Sequence, residues 1–211
     1  MNIIRRPFRY RHDNVVYILI ALNLLVYLAV MFFRQFPLIR ILSMNPVFVI
    51  RLGWVWQFVT YMFVHDPRSI SHILFNMFAL FIFGRQVEWK MGSREFLLYY
   101  LLTGALAGVF SFLAYLLTGQ VWVSLMGASG AIFAIQLAFA AFFPHSIIYI
   151  WGILPLKAPV MVLGFTALEV FFLLTGANGN VAHSTHLAGF AFGWLYFLVR
   201  FGINPWRAMR S

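Results

Sequence analysis

Long apolar runs without charged residues constrain this chain more than any other feature. The first run covers residues 15–33 and contains no Asp, Glu, Lys or Arg. Five further apolar runs follow, at residues 70–83, 96–118, 129–143, 159–174 and 183–201. An apolar helix of about 20 residues is long enough to cross the hydrocarbon core of a bilayer. The pattern therefore predicts an all-α, polytopic membrane protein with six transmembrane helices.

The composition supports a membrane protein and excludes several other classes. Of the 211 residues, 63% are hydrophobic and 9% are charged, whereas soluble domains contain about 45–50% apolar and about 25% charged residues. The chain has no cysteine, which excludes a disulfide scaffold, a catalytic thiol and thiolate metal ligands. Its net charge of +10 is better explained by membrane orientation and contact with lipids than by nucleic-acid binding.

The distribution of Lys and Arg predicts the orientation of the helices. Most of the 15 basic residues fall in segments on the same side as the N-terminus, and the others all fall between the first and second helices. Because cytoplasmic segments carry the excess of positive charge, both termini are predicted to be cytoplasmic. The chain then divides into a basic segment at residues 1–14, a membrane domain at residues 15–201 and a short basic tail at residues 202–211.

The first loop, at residues 36–69, is long for a connection between adjacent helices. It contains many aromatic residues among scattered arginines. Aromatic rings favour the headgroup region of a bilayer, and arginine side chains extend from it toward water. We therefore expect this loop to lie at the outer membrane interface.

Polar and ionisable side chains inside the apolar runs mark candidate functional positions, because such groups are costly in a bilayer. His72 and Asn76 lie one turn apart on the same face of the second helix. This pair alone is equally consistent with an interhelical hydrogen bond that holds a bundle together. The other candidates lie in the fourth, fifth and sixth helices: Ser129, Glu169, His183 and His186. The sequence identifies no partner for Glu169.

Ser129 is predicted to lie below the membrane surface, at the start of a helix. About 15 residues separate it from Pro144, where the fourth helix should end, and they span roughly 22 Å. Because the hydrocarbon core is roughly 30 Å thick, a helix that ends at the inner face begins below the outer face. Unpaired N–H groups at such a helix start favour developing negative charge. The Gly-x-Ser-Gly motif at residues 127–130 is by itself a weak signal and is not the nucleophile elbow of soluble hydrolases.

These residues can together supply a nucleophile, a general base and oxyanion stabilisers. His186 lies on the side of the sixth helix marked by Gly189 and Gly193, where a neighbouring helix can approach closely. No Asp falls inside the predicted helices, so any catalyst of this kind would be a Ser–His dyad. An aspartyl mechanism lacks its second intramembrane carboxylate, and a His-Glu-x-x-His motif is absent. A three-histidine metal site at His72, His183 and His186 lacks a carboxylate base, and no metal or cofactor is predicted.

The order of these motifs resembles the rhomboid family of intramembrane serine proteases. The resemblance covers nearly the whole chain from the first helix to residue 201. It rests on five short motifs: HILFN at 72–76, GRQVE at 84–88, GS at 92–93, GASG at 127–130 and HLAGFAFG at 186–193. Each motif is short, but their order on a six-helix chain is specific.

The resemblance implies roles for individual residues. Ser129 would be the nucleophile and His186 the general base. The oxyanion hole would consist of the Ser129 backbone N–H with the side chains of His72 and Asn76. Glu88 would hold the inner end of the second helix in place. Supporting positions in the helix contacts would be Gly127, Gly130, Gly189 and Gly193.

The resemblance also implies the substrates and the surroundings of the site. The partners would be membrane lipids and single-span transmembrane proteins, cut in or near the transmembrane segment, in the plasma membrane of a prokaryote. Residues 121–123 would form a mobile cap over the site, and the fifth helix, at 159–176, would act as a substrate gate. The family often carries Trp-Arg in the first loop, whereas this chain has Trp56 and Gln57, so the loop would lack the donors of that arginine.

Two other functions remain open at the level of the sequence. The first is a catalytically inactive rhomboid-like protein that binds membrane clients, although both Ser129 and His186 are present. The second is a small transporter with a proton or ion path lined by His72, His183, His186 and Glu169. A serine-directed phosphonate distinguishes these functions, because only a protease should be labelled at Ser129.

Overall fold

The computed structural model describes residues 5–6, 8–33, 35–150, 152–176 and 183–210. Most of these residues are helical. In chain order the helices are α1 (Val15–Phe32), α2 (Leu38–Leu42), α3 (Pro46–Leu52), α4 (Gln57–Thr60), α5 (Ile70–Ala79), α6 (Arg85–Met91), α7 (Ser93–Leu117), α8 (Ser129–Phe142), α9 (Ala158–Thr175), α10 (His183–Tyr196) and α11 (Pro205–Ala208). Two π-helical segments, Leu80–Gly84 and Phe197–Phe201, continue α5 and α10.

The main helices coincide with the six apolar runs, which confirms the prediction of an all-α, polytopic membrane bundle. Helices α1 and α8 begin at the predicted residues, and α7 and α9 begin one to three residues early. The second segment departs most from the prediction, because it continues through the π-helical segment into α6 and ends at Met91. The last turns of this segment contain several polar residues, so a search for apolar runs does not detect that they are helical.

Helix length separates the site-bearing helices from the others. Within the described residues, four helical segments are long and apolar enough to cross a membrane: Val15–Phe32, Ile70–Met91, Ser93–Leu117 and Ala158–Thr175. Helix α8 has 14 residues, which corresponds to about 21 Å. This length is less than a hydrocarbon core of roughly 30 Å. Helix α8 is therefore too short to reach both membrane surfaces.

Helix α8 forms the centre of the bundle, and small residues allow α10 to lie directly against it. Nearly every residue from Gly130 to Ala141 is buried. A Cβ atom added to Gly189 would overlap the backbone carbonyl of Gly130, and one added to Gly193 would lie 3.0 Å from the Cα of Ala134. The backbones of α8 and α10 thus touch at these positions, as small-residue spacing in membrane helices permits.

Glu88 links α6 to the start of α1 on the predicted cytoplasmic side. Its carboxylate accepts hydrogen bonds from the N–H groups of Val15 at 2.7 Å and Val16 at 3.0 Å. The Ser93 hydroxyl donates to the same carboxylate at 2.5 Å. A helix start has N–H groups without intrahelical acceptors, and an acidic side chain there also complements the helix dipole. Glu88 therefore fastens the inner end of the second helical segment to α1.

A second buried carboxylate, which the sequence analysis did not single out, joins α7 to the end of α10. Arg200 donates from Nε to Oε1 of Glu95 at 2.7 Å and from Nη2 to Oε2 at 2.9 Å. The Tyr196 hydroxyl donates to Oε1 at 2.5 Å. Glu95 is almost completely buried. A two-pronged arginine–carboxylate contact of this kind fixes geometry as well as charge.

The first loop is braced by Gln57, contrary to the expectation that the missing arginine would leave it without donors. Gln57 is fully buried, and its Nε2 donates to the carbonyls of Arg40 at 2.9 Å and Ile41 at 3.1 Å. Its Oε1 accepts the N–H of Asn45 at 3.0 Å. The neighbouring Trp56 also donates from its indole to Ile41, at 3.0 Å. A neutral amide thus supplies both donors and an acceptor at this position.

A short β-hairpin, which the sequence did not predict, connects α8 to α9. Strand β1 (Ile147–Ile150) pairs antiparallel with β2 (Leu154–Lys157), and Ile147 lies opposite Lys157. The alternation in these strands is too brief to distinguish them from the apolar runs on either side. The hairpin lies at the end of the bundle opposite Ser129, which opens α8.

Candidate active site

Ser129 and His186 lie in direct contact, although they are on different helices. Ser129 is the first residue of α8, and His186 lies in the first turn of α10. The Oγ atom of Ser129 is 2.7 Å from Nε2 of His186. The His186 ring also stacks on Phe133 of α8, with ring centroids 4.7 Å apart and planes within 8°. The stacking restricts the plane of the ring, and within that plane Nε2 is the nitrogen that faces the serine hydroxyl.

The approach of α10 to the start of α8 depends on Gly130 and Gly189. A Cβ at Gly130 would lie 3.2 Å from Cβ of Ala107 and from Cγ2 of Thr185. The Thr185 hydroxyl shares a hydrogen bond of 2.6 Å with Ser111 of α7. These contacts hold three helices together immediately beside Ser129 and His186.

The first loop positions the backbone that leads into Ser129. Met44 and Leu125 exchange two backbone hydrogen bonds, of 3.0 and 2.8 Å. The N–H of Gly127 donates to the carbonyl of Tyr61 at 3.0 Å, and the hydroxyl of the buried Tyr61 donates to the carbonyl of Gly104 at 2.7 Å. Gly127 has a φ of +117°, a conformation that other residues rarely adopt. The start of α8 is thus fixed by contacts on both sides.

His72 lies beside the same backbone. A Cβ at Gly127 would lie 2.8 Å from Nε2 of His72 and 3.8 Å from Oγ of Ser129. The N–H of Asp66 approaches Nδ1 of His72 at 3.5 Å, which is compatible with a neutral ring that carries its proton on Nε2. The structure therefore brings a candidate N–H donor close to Ser129.

Asn76 is one turn further along α5, and its amide contacts its own helix. The Nδ2 group donates one N–H to the backbone carbonyl of His72 at 2.7 Å. An amide has two N–H hydrogens, and the other is not used in this bond. The structure thus shows Asn76 in contact with the backbone of His72, whereas the side chains of Ser129 and His186 touch each other.

His65, which the sequence analysis did not single out, packs against the ring of His72. The two rings meet edge to face with centroids 5.1 Å apart, and His65 is fully buried. Burial, and secondarily the neighbouring His72, lowers the pKa of His65 from its ordinary value of 6.5 to about 3. A neutral ring thus packs against His72 at physiological pH.

Glu169 has two partners in the structure, which the sequence analysis did not find. Its Oε1 lies 3.0 Å from Nδ1 of His186, and its Oε2 lies 2.5 Å from Nδ1 of His183. The Nδ1–H direction of His186 is not aligned on the carboxylate oxygen. The sequence contains a partial signal for this cluster. Glu169 precedes the end of α9 by under two turns and the histidines begin α10, so consecutive antiparallel helices bring them to similar depths.

Within the described part of the chain, these three residues are also the ones that could together hold a metal ion. One ligand atom from each of Glu169, His183 and His186 lies within 4.8 Å of the others. Two histidines and one carboxylate are a common ligand set for divalent transition metals. The Oε2–Nδ1 contact of 2.5 Å to His183 is explained without a metal, as a hydrogen bond between a carboxylate and an imidazole.

The fold and this geometry define a helical membrane protein with a serine–histidine pair at a buried helix start. A family model, the rhomboid domain, matches residues 52–203. The chain belongs to the rhomboid family. The matched region begins within the first loop and includes both Ser129 and His186.

Individual relatives are similar to this chain at low to moderate identity. Rhomboid protease GlpG of Haemophilus influenzae is 30% identical over 103 residues, which cover 49% of this chain and 52% of the relative. The putative rhomboid protease YdcA of Bacillus subtilis is 28% identical over 145 residues, covering 68% and 66%. RHOMBOID-like protein 12, mitochondrial, of Arabidopsis thaliana is 32% identical over 154 residues, covering 66% and 44%. The chain spans less than two thirds of each of these relatives.

Proposed function

We propose that this protein is an intramembrane serine endopeptidase that cleaves single-span membrane proteins in or near their transmembrane segments. Ser129 is the nucleophile and His186 the general base. The observation that carries the proposal is the 2.7 Å contact between Oγ of Ser129 and Nε2 of His186 at the start of a helix too short to span the bilayer. Membership of a family whose relatives include proteins named as proteases supports it.

The geometry suits acyl transfer in two steps. As Oγ of Ser129 attacks the scissile carbonyl carbon, its proton passes to Nε2 of His186. The tetrahedral intermediate collapses when His186 returns this proton to the leaving amine, and an acyl-serine remains. Water, deprotonated by His186, then attacks the acyl carbon, and the intermediate collapses as His186 returns the proton to Oγ, which releases the new carboxyl terminus and free Ser129.

Charge on the intermediate would be stabilised at the start of α8. The first N–H groups of a helix have no intrahelical acceptor, and the helix dipole favours an anion there. The Nε2–H of His72 lies beside Gly127, on the approach to Ser129. We assign the oxyanion hole to the Ser129 N–H and His72, with the second amide hydrogen of Asn76 as a further donor.

A substrate must unwind before this site can attack it, because a helical backbone in lipid has its carbonyls hydrogen-bonded. Substrates with helix-breaking residues near the cut should therefore be preferred. Residues 121–123 form the proposed cap, and Asn45 donates to the carbonyls of Trp122 and Val123 at 3.2 Å each. Opening of the cap would break these two bonds. The fifth helix, α9, remains the proposed gate.

We also propose that both termini face the cytoplasm and that the protein lies in the plasma membrane of a prokaryote. The excess of positive charge on the N-terminal side supports the orientation, and bacterial relatives support the membrane. Organellar relatives also occur. The membrane and the orientation can be tested together with reporter fusions at the C-terminus.

Cleavage by the purified protein tests the proposed function. Wild-type protein in proteoliposomes is expected to cut a single-span substrate within its membrane segment, at a site located by mass spectrometry. Ser129→Ala deletes the nucleophile without adding bulk, so it should fold and leave the substrate intact. If wild type binds the substrate without cutting it, the inactive client-binding function is correct instead.

A further inference from the structure

We propose that Glu169 is a positioning residue for His186. Ser129, His186 and Glu169 then form a triad, and His183 anchors the carboxylate of Glu169. This inference rests on the proposed function and adds to the Ser–His pair a third group, from α9. It assigns a role to a carboxylate that lies in an apolar helix and that hydropathy alone would place in lipid.

The contacts of Glu169 form a continuous chain to the nucleophile. Oε1 of Glu169 is 3.0 Å from Nδ1 of His186, and Nε2 of the same ring is 2.7 Å from Oγ of Ser129. The Glu169 side chain is 15% exposed and the His186 side chain 11%. A carboxylate this far from water is costly unless it is paired. Its position beside Nδ1, the ring nitrogen of His186 that faces away from Ser129, therefore favours a role in orienting that ring.

This arrangement controls which nitrogen of His186 carries a proton. For Nε2 to accept the serine proton, its lone pair must be free and the proton of the neutral ring must be on Nδ1. A carboxylate beside Nδ1 favours that tautomer and stabilises the imidazolium that forms during attack. The N–H direction is imperfectly aligned without substrate, and such bonds often tighten only when the substrate is bound.

His183 fixes the carboxylate in this position. Its Nδ1 lies 2.5 Å from Oε2 of Glu169, so each carboxylate oxygen faces a different imidazole. The His183 ring also packs on Phe172 of α9, with centroids 5.4 Å apart. The carboxylate therefore has a second anchor that keeps Oε1 directed toward His186.

The experiment must distinguish this proposal from a purely structural role of Glu169. The buried residues of α9 are Ala158, Met161 and Val162, all in its first two turns. Near Glu169, α9 contacts α10 through Glu169 with His183 and His186 and through Phe172 with His183. Loss of the carboxylate could thus loosen α9 without any effect on His186 itself.

The test compares Glu169→Gln, Glu169→Asp and the control Val162→Ala in proteoliposomes. Val162→Ala loosens the packing of α9 but leaves the carboxylate in place. The readouts are kcat and KM for a single-span substrate, the rate of phosphonate labelling of Ser129, and the melting temperature. Because Gln keeps the size of the side chain and removes its charge, Glu169→Gln should lower kcat by about 10²–10⁴-fold, with KM within about twofold.

The labelling rate should fall in parallel with kcat, and Glu169→Asp should recover at least about tenfold over Gln, because it restores the charge. Val162→Ala should lower the melting temperature without slowing the phosphonate labelling of Ser129, whatever it does to the entry of a protein substrate past α9. An unchanged kcat in Glu169→Gln, a change in KM alone, or an Asp variant no better than Gln would each overturn the proposal. If wild type neither cuts nor labels, the proposed function itself fails.

A metal at the same residues gives a distinct result. Wild-type activity should be unchanged after dialysis against EDTA. Loss of activity that Zn²⁺ restores would show that Glu169, His183 and His186 hold a required metal. That result would overturn the proposed role of Glu169.

Discussion

Gly189→Ala tests whether activity depends on direct backbone contact between α8 and α10. A Cβ added at Gly189 would lie 2.6 Å from the carbonyl carbon of Gly130 and 3.0 Å from its Cα. Both atoms belong to the backbone of the helix that begins at Ser129, so no side-chain rotation relieves the overlap. The two helices must separate.

The size of the effect follows from these distances. Ordinary carbon–carbon contacts begin at 3.4 Å, so the backbones must move apart by about 1 Å, as for an overpacked core. The overlap lies close to the 2.7 Å contact between Ser129 and His186. Gly189 is three residues from His186 on α10, and Gly130 directly follows Ser129 on α8. A displacement of about 1 Å at a reacting centre can cost about 10²-fold in rate. Overpacking of this kind also costs about 1–3 kcal/mol of stability.

Gly164 provides the matched control, because a Cβ there meets no atom within 4 Å. Both variants add one methyl group to a helix of the bundle. We expect Gly189→Ala to lower kcat by about 10²-fold and to lower the unfolding midpoint in detergent. Gly164→Ala should match wild type in both measurements. If the two variants behave alike and retain wild-type kcat, close backbone contact does not position the site.

The remaining predictions concern His72, Asn76 and His65. His72→Ala and Asn76→Ala should each lower kcat by about 10²–10³-fold with a smaller effect on KM, and a large rise in KM with unchanged kcat would instead indicate a binding role. For His65, the folded-state pKa of about 3 lies below the unfolded value, so the unfolded state binds more protons at acid pH and stability should fall as pH decreases from about 6.5 toward 3. His65→Asn should lose part of this acid dependence in thermal unfolding, and an unchanged pH dependence would show that His65 is not responsible.

The fold was largely predictable because its helices are set by local apolar runs. Hydropathy identified the start of α8 at Ser129, and glycine spacing identified the face of α10 that touches α8. These features depend on residues near each other in the sequence. The β-hairpin was not predictable, because four-residue strands between apolar helices have no separate signal.

The carboxylate contacts show where inference from the sequence stops. Glu169 reaches histidines 14 and 17 residues away, and that contact depends on how α9 is rotated about its axis. Glu95 reaches Arg200 across more than a hundred residues. Local periodicity carries no information on such pairs. Gln57 was misjudged for a different reason, since its bonds depend on backbone carbonyls of the folded loop.

Covalent labelling by a serine-directed phosphonate tests the central claim most directly, since an isolated serine hydroxyl reacts poorly unless a base assists it. Intact mass and peptide mapping of the protein in proteoliposomes would locate the adduct. We expect one adduct on Ser129 in wild type, and none in Ser129→Ala or His186→Ala, with His183→Ala labelled more slowly. Labelling of His186→Ala at the wild-type rate, or an adduct on a residue other than Ser129, would contradict it.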